Sequence, residues 1–173
     1  MGKKAKKGDE GHEASDATDT KGKKNKKSNG ASGSVLGPFT TLVGALLAIA
    51  AFVLGSFGDH VVRGWVQGPA LQAFDLAAQC HLAHALALVA LGVYIELSGR
   101  TVLLVLSVMC LILGVCVFSG SLYVSAFLTH AWLPLLTPIG GALLLIGWLT
   151  FALHLLKRWR GTVIALMPAP PPG

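Results

Sequence analysis

His81 and His84 are the residues whose types and spacing point most directly to chemistry. They stand three positions apart inside an apolar run, so on a helix they share one face. Imidazoles arranged in this way can bind a metal ion or haem, or relay protons. They can equally hold neighbouring helices together by hydrogen bonds to serine or tyrosine hydroxyls. The two histidines leave both interpretations open.

Further polar residues stand near the ends of the apolar runs and define, with the histidines, a candidate polar pocket. Its predicted members are Asp59, His60, His81, His84, Ser119, Ser121, Tyr123 and Thr137. A metal centre normally needs three or four ligands, and only Asp59 and His60 stand near enough to join the histidine pair. We therefore predict neither a metal ion nor a cofactor.

Motifs of catalysis do not accompany this pocket. The sequence has no G-x-S-x-G, no H-E-x-x-H, no phosphate-binding glycine loop and no paired carboxylates within an apolar run. We expect a protein that is not an enzyme.

Four apolar runs must position the polar residues. Hydrophobic residues make up 53% of the chain and charged residues 13%, and a helix needs about 20 mostly apolar residues to cross a bilayer. The predicted fold class is an all-α membrane protein, a four-transmembrane-helix bundle. A helical turn near Pro69 could precede the second span, and Thr137-Pro138 is expected to start or locally break the fourth. The four spans are predicted at about 39–58, 76–97, 101–128 and 135–156.

The basic residues predict an orientation. Arg100 and the cluster of Lys157, Arg158 and Arg160 fall on the same side as the N-terminal lysines, which places both termini on the cytosolic or matrix side. This pattern is equally that of a plasma membrane and of a mitochondrial inner membrane. It also places the polar residues of all four spans in the half of the bundle away from the tail.

Small residues recur along the spans and predict close helix contacts, because helices in lipid associate through tight backbone packing. The predicted packing residues are Gly44, Ala48, Ala51, Gly55, Gly114, Gly120, Gly140, Gly141 and Gly147.

The two ends of the chain differ from the spans. Residues 1–34 hold nine lysines and lack Leu, Ile and aromatic residues, which predicts a disordered basic tail. Residues 161–173 are predicted as a Pro-rich C-terminal tail, and 35–160 as the transmembrane domain. The formal charge of +6 comes without basic stretches interleaved with aromatic residues, so no nucleic-acid partner is expected.

Five short motifs in order resemble the YgdD-like family of small multi-pass membrane proteins. This family has bacterial and eukaryotic members and is filed as a domain of unknown function, so the resemblance implies four membrane helices and transfers no catalytic residue. Members from bacteria tend to have a small residue in place of Asp59 and a Tyr-Gln pair in place of Cys80-His81. The motifs are Gly55-Ser56-Phe57-Gly58 with His60, His84-Ala85-Leu86-Ala87-Leu88, Phe118-Ser119-Gly120-Ser121-Leu122-Tyr123, Thr137-Pro138-Ile139-Gly140-Gly141 and Gly147-Trp148.

Three functions remain in view from the sequence. The favoured one is a structural, accessory or assembly component of a membrane complex, with the lipid bilayer and other membrane subunits or further copies of the chain as partners. The alternative is a small oligomeric transporter or proton- or ion-linked carrier that uses the one-sided pocket. Binding of a metal or haem by His81 and His84 is the third.

Overall fold

The computed structural model describes residues 35–128 and 130–166, without the side chains of residues 59 and 166. The predicted disordered tail at 1–34 and residues 167–173 of the predicted C-terminal tail lie outside this range. The described part is helical apart from short connections, and no strand occurs in it.

Four long helices make up the fold, and each is long and apolar enough to cross a membrane. The mean hydropathy of their most apolar windows ranges from 1.7 to 2.9. After its regular part, the first helix continues through a π-helical turn, Gly58–Val62, and a short helical turn, Arg63–Trp65. The predicted fold class is thereby confirmed. The helices are α1 (Leu36–Phe57), α2 (Pro69–Ser98), α3 (Val102–Ser125) and α4 (Leu133–Leu166).

Local sequence signals explain where α2 ends and α3 begins. Gly99 has φ 84°, a left-handed value that costs glycine little, and its N–H donates to the Ile95 carbonyl at 2.9 Å. Thr101 then caps α3, because its hydroxyl accepts from the Leu104 N–H at 3.3 Å. The connection between the two helices is therefore short and fixed.

Two glycines on α1 and α2 let these helices approach closely. A Cβ on Gly44 would lie 2.7 Å from the Val89 nitrogen, and one on Gly92 would collide with Thr41. Thr40 is fully buried at the same interface and donates its hydroxyl to the Leu36 carbonyl at 2.7 Å. Any larger residue at either glycine must push the helices apart.

The α3–α4 pair is packed in the same manner. A Cβ on Gly114 would lie 2.8 Å from Leu144, one on Gly147 would lie 2.8 Å from Leu111, and one on Gly140 would overlap the Phe118 backbone. Helices α2 and α3 meet through branched side chains instead. The apolar core lies here and consists of Leu88, Leu91, Ile95, Leu104, Val108, Leu111, Val115 and Leu144.

Packing therefore follows chain order: α1 lies on α2, α2 on α3, and α3 on α4. Two tight helical hairpins, α1–α2 and α3–α4, are joined through α2 and α3. Arg100 and the basic residues late in α4 lie at the same end of the bundle, because a hydrogen bond joins Thr101 to His154 there. We call this the basic end.

Two of the predicted packing residues require a correction. Within the described part, a Cβ on Gly55 or Gly120 would meet nothing within 4 Å, so helix packing inside the protomer does not require a glycine at either position. Gly141 makes only an ordinary contact with Phe118, while Ala51 is buried and Ala48 half-buried.

The bounds of the helices also differ from the predicted spans. Helix α2 begins at Pro69, and α4 begins at Leu133 and includes residues 161–166, where the sequence predicted a tail. Pro138 lies inside α4 rather than at its start. There it removes the helical bond to the carbonyl of Pro134, a local loss near the helix end.

Candidate functional site

His81 lies on α2 and pairs with Tyr123 on α3. The histidine is 8% exposed, and its Nδ1 is 3.4 Å from the Tyr123 hydroxyl. Phe74 packs edge-on against the tyrosine ring, with 5.0 Å between ring centres. The pair therefore joins two helices in an aromatic environment, with the imidazole buried and the tyrosine half-buried.

His84 reaches a different helix although it shares a face with His81. Its Nε2 is 3.3 Å from the indole nitrogen of Trp148 on α4, and its Nδ1 is 2.8 Å from the Cys80 carbonyl. An indole N–H can only donate, so Nε2 accepts and Nδ1 carries the proton that is donated to the carbonyl. Both nitrogens are thus engaged in one tautomer.

Ser121 and Thr137 form the third pair and join α3 to α4. Their hydroxyl oxygens are 2.9 Å apart, and Ser121 donates to the Phe118 carbonyl at 2.9 Å. Because serine has a single hydroxyl proton, Thr137 must donate to Ser121.

Two buried polar atoms of the predicted pocket have no hydrogen-bond partner. They are Nε2 of His81 and the hydroxyl of Ser119, whose residue is only 2% exposed. An unpartnered polar atom in a buried position costs about 1–3 kcal/mol. Each of these two atoms, one on α2 and one on α3, would gain a partner from a small polar ligand or a water.

The remaining members of the predicted pocket lie apart. His60 is exposed in the π-helical turn, and the side chain of Asp59 is outside the described set. Near them, Arg63 pairs with Asp75 on α2 at 3.5 Å. Five of the eight predicted residues therefore take part in helix-to-helix pairs, at separate interfaces rather than around one cavity.

A second polar cluster lies at the basic end, and the sequence reasoning missed it. His154 is buried, with its Nε2 3.2 Å from the Tyr94 hydroxyl and its Nδ1 3.1 Å from the Thr101 hydroxyl. The Arg158 guanidinium lies 5.9 Å from the centre of the Tyr94 ring. The prediction that all polar groups gather in the opposite half was therefore wrong. The common direction of α2 and α4 could have indicated that Tyr94 and His154 lie at the same end of the bundle, because both precede basic residues.

An apolar cavity separates the His84–Trp148 pair from the Tyr94–His154 pair. Its volume is about 140 Å³, and the nearest aromatic rings, Trp148 and Phe151, have centres 6.4 Å apart. We call it the α2–α4 cavity. Its lining residues are Ala87, Ala90, Leu91, Leu111, Trp148 and Phe151.

The arrangement of ligand-type side chains does not favour a metal centre. In the described part of the chain, no three His, Cys, Asp or Glu residues come close enough together to hold a metal ion. What the polar residues do is link helices.

Comparison with known proteins finds relatives of this chain among membrane proteins. Residues 54–141 match the family described as "Protein of unknown function (DUF423)". The chain is 34% identical over 117 residues to the UPF0382 membrane protein SSP2132 of Staphylococcus saprophyticus, covering 67% of this chain and 95% of the relative. It is 28% identical over 116 residues to the UPF0382 membrane protein YwdK of Bacillus subtilis, covering 67% and 94%.

A third relative, a UPF0382 membrane protein of Haemophilus influenzae, is 32% identical over 114 residues and is covered over 90% of its length. No solved structure matches the chain significantly. The expected resemblance to a family of membrane proteins of unknown function is confirmed in this broader form, while the narrower YgdD-like name stays a prediction. All eight residues of the predicted pocket fall inside the matched region. On this coverage, the chain belongs to the DUF423 family of membrane proteins.

Proposed function

We propose that the protein is a non-catalytic membrane subunit that supports or helps to assemble a larger membrane complex. The observation that carries this proposal is that polar side chains form hydrogen bonds between helices. His84, Ser121 and His154 each make at least one hydrogen bond to a neighbouring helix. Such bonds fix the relative positions of helices, which suits a rigid packing unit.

The α2–α4 cavity supports the same proposal, because it separates the polar groups at the two ends of the contact between α2 and α4. From His84 to Tyr94, α2 rises by about 15 Å, and its side chains toward α4 are apolar over this distance. A proton or ion relay inside one protomer needs polar groups within hydrogen-bond reach of one another.

Helix α1 offers a surface for a partner. It packs on α2, and its opposite face exposes Leu42, Leu46 and Ile49. Gly55 leaves open space on this helix, where a partner helix could approach closely. The partners we propose are other membrane subunits or further copies of this chain.

The test is purification of the tagged full chain from its native membrane in a mild detergent, followed by a native gel. We expect migration in an assembly much larger than the 18.0 kDa chain. Leu46→Ala should lower the recovery of partner subunits with little change in thermal unfolding, because this side chain is exposed on the face of α1 away from α2. Leu153→Ala, at an exposed site on α4, is the matched control. Migration as a free small protein would refute the proposal.

A second candidate function, a small oligomeric carrier, is favoured by the unpartnered atoms of His81 and Ser119. A permeating polar solute or proton could use them in passing. The test is solute and proton flux into vesicles that contain the purified protein. Replacement of His81 and His84 by alanine should abolish flux, and unchanged flux would exclude these residues as the pathway.

A further inference from the structure

We propose that the α2–α4 cavity binds an acyl chain of an anionic phospholipid, whose headgroup lies against the basic residues at the basic end. This interaction is independent of any protein partner.

The cavity has the chemistry of an acyl-chain site. All six of its lining residues are apolar or aromatic, and an apolar cavity of about 150 Å³ stays dry and accepts a group of benzene size. The cavity is open at the molecular surface, where Ala90 is exposed and Trp148 is 43% exposed. For a helix in a bilayer, the surroundings of such an opening are lipid tails.

The frame of the cavity keeps it open. Ala87 and Ala90 place small side chains on α2 where a large one would fill the space. On either side of them the two helices are held at a fixed separation, by His84 with Trp148 and by Tyr94 with His154. The cavity cannot close without breaking one of these pairs.

Contacts connect the cavity directly to the basic end. Phe151, in the cavity wall, packs edge-on against Tyr94, with 5.7 Å between ring centres. The guanidinium carbon of Arg158 lies 5.9 Å from the centre of the Tyr94 ring. Along α4, Arg158 is about 10 Å beyond Phe151. That separation fits within one leaflet, whose hydrocarbon half is about 15 Å thick.

The charge at the basic end selects the headgroup. Arg100, Lys157 and Arg160 are exposed there together with Arg158, and Glu96 is the acidic residue nearby. Basic residues beside a groove between membrane helices favour an anionic headgroup over a zwitterionic one. A phospholipid that satisfies both the cavity and this charge is anionic and belongs to the leaflet at the basic end.

Trp148 allows a direct test by fluorescence. In the full chain, Trp65, Trp132 and Trp159 are replaced by Phe, so that Trp148 is the remaining tryptophan. The protein is placed in phosphatidylcholine vesicles that contain a minor fraction of phosphatidylglycerol or phosphatidylcholine with brominated acyl chains. Bromine quenches tryptophan on contact. We expect half-maximal quenching at an about fivefold lower mole fraction of the anionic lipid, the effect of one basic residue near a membrane surface.

Variants separate the two parts of the site. Arg158→Gln should reduce the preference for the anionic lipid, and Ala90→Leu should reduce quenching by both lipids because it fills the cavity. Ala142→Leu, an exposed alanine on α4 outside the cavity, should change neither. Circular dichroism checks that each variant is folded. If Ala90→Leu does not fold, a competition measurement is used instead. Unbrominated phosphatidylglycerol should displace the brominated lipid and restore the fluorescence of Trp148. Equal quenching by the two brominated lipids, or no recovery in competition, would overturn the proposal.

Discussion

Two buried serines on α3 differ in whether their hydroxyl has a partner. Ser107 donates to the Gly147 carbonyl of α4 at 2.9 Å, while the Ser119 hydroxyl has no partner among the described atoms. Both residues are at most 2% exposed. They are therefore a matched pair for measuring what a hydroxyl contributes inside this bundle.

Ser107→Ala should lower the free energy of unfolding by about 0.5–1.5 kcal/mol, because it removes a hydrogen bond and leaves the Gly147 carbonyl with one partner fewer. Ser119→Ala should cost less than Ser107→Ala, because the Ser119 hydroxyl lies only beside the weakly hydrogen-bonding Cys80 thiol. The measurement is denaturant unfolding in detergent micelles. An equal loss of stability in both variants would show that Ser119 has a partner, such as a buried water.

The spacing of His81 and His84 predicts that they share one helix face, but it does not predict their partners. Spacing determines the angle between two side chains around their own helix. It does not determine how neighbouring helices are rotated. Here α3 and α4 both flank α2, so His81 contacts Tyr123 and His84 contacts Trp148. For the same reason, the sequence does not reveal that His154 contacts both Tyr94 and Thr101.

At the scale of elements, glycines that the sequence does not distinguish differ in whether they pack against a neighbouring helix. Gly44 and Gly55 both lie on α1, but only Gly44 faces a neighbouring backbone. Gly44→Ala should destabilise the α1–α2 pair, because the new Cβ would lie 2.7 Å from the Val89 nitrogen. Gly55→Ala should leave stability unchanged or raise it, by up to about 1 kcal/mol from helix propensity. Thermal unfolding of the two variants in one detergent measures the difference; equal behaviour would contradict the packing described here.

The spans could be predicted from sequence because hydropathy depends on each run alone, and all four runs are helices in the structure. Their ends were less predictable. Helix α4 runs on through 161–166, beyond the charged residues at 157–160, and α2 begins at Pro69, before Gln72 and Asp75. These polar residues reduce the hydropathy without ending the helix. A small residue likewise permits close approach but does not reveal whether a neighbour is present, which explains Gly55 and Gly120.

At the scale of the molecule, the two hairpins meet through α2 and α3, where the apolar core lies. A chain divided at Arg100 should therefore reassociate when its two halves are produced together, and the tagged α1–α2 half should recover the α3–α4 half in detergent. Val108→Trp, at a buried core position, should reduce this recovery because the larger ring does not fit. Failure of the unmodified halves to associate would show that the connection, rather than the interface, holds the hairpins together.

The order of packing has a consequence for synthesis of the protein. Each helix packs on the one made just before it, so every emerging segment finds its partner already inserted. Contacts close in sequence are made quickly because little chain must be brought together. Biogenesis can thus advance one helix at a time, without holding an early segment unpaired until the last one leaves the ribosome.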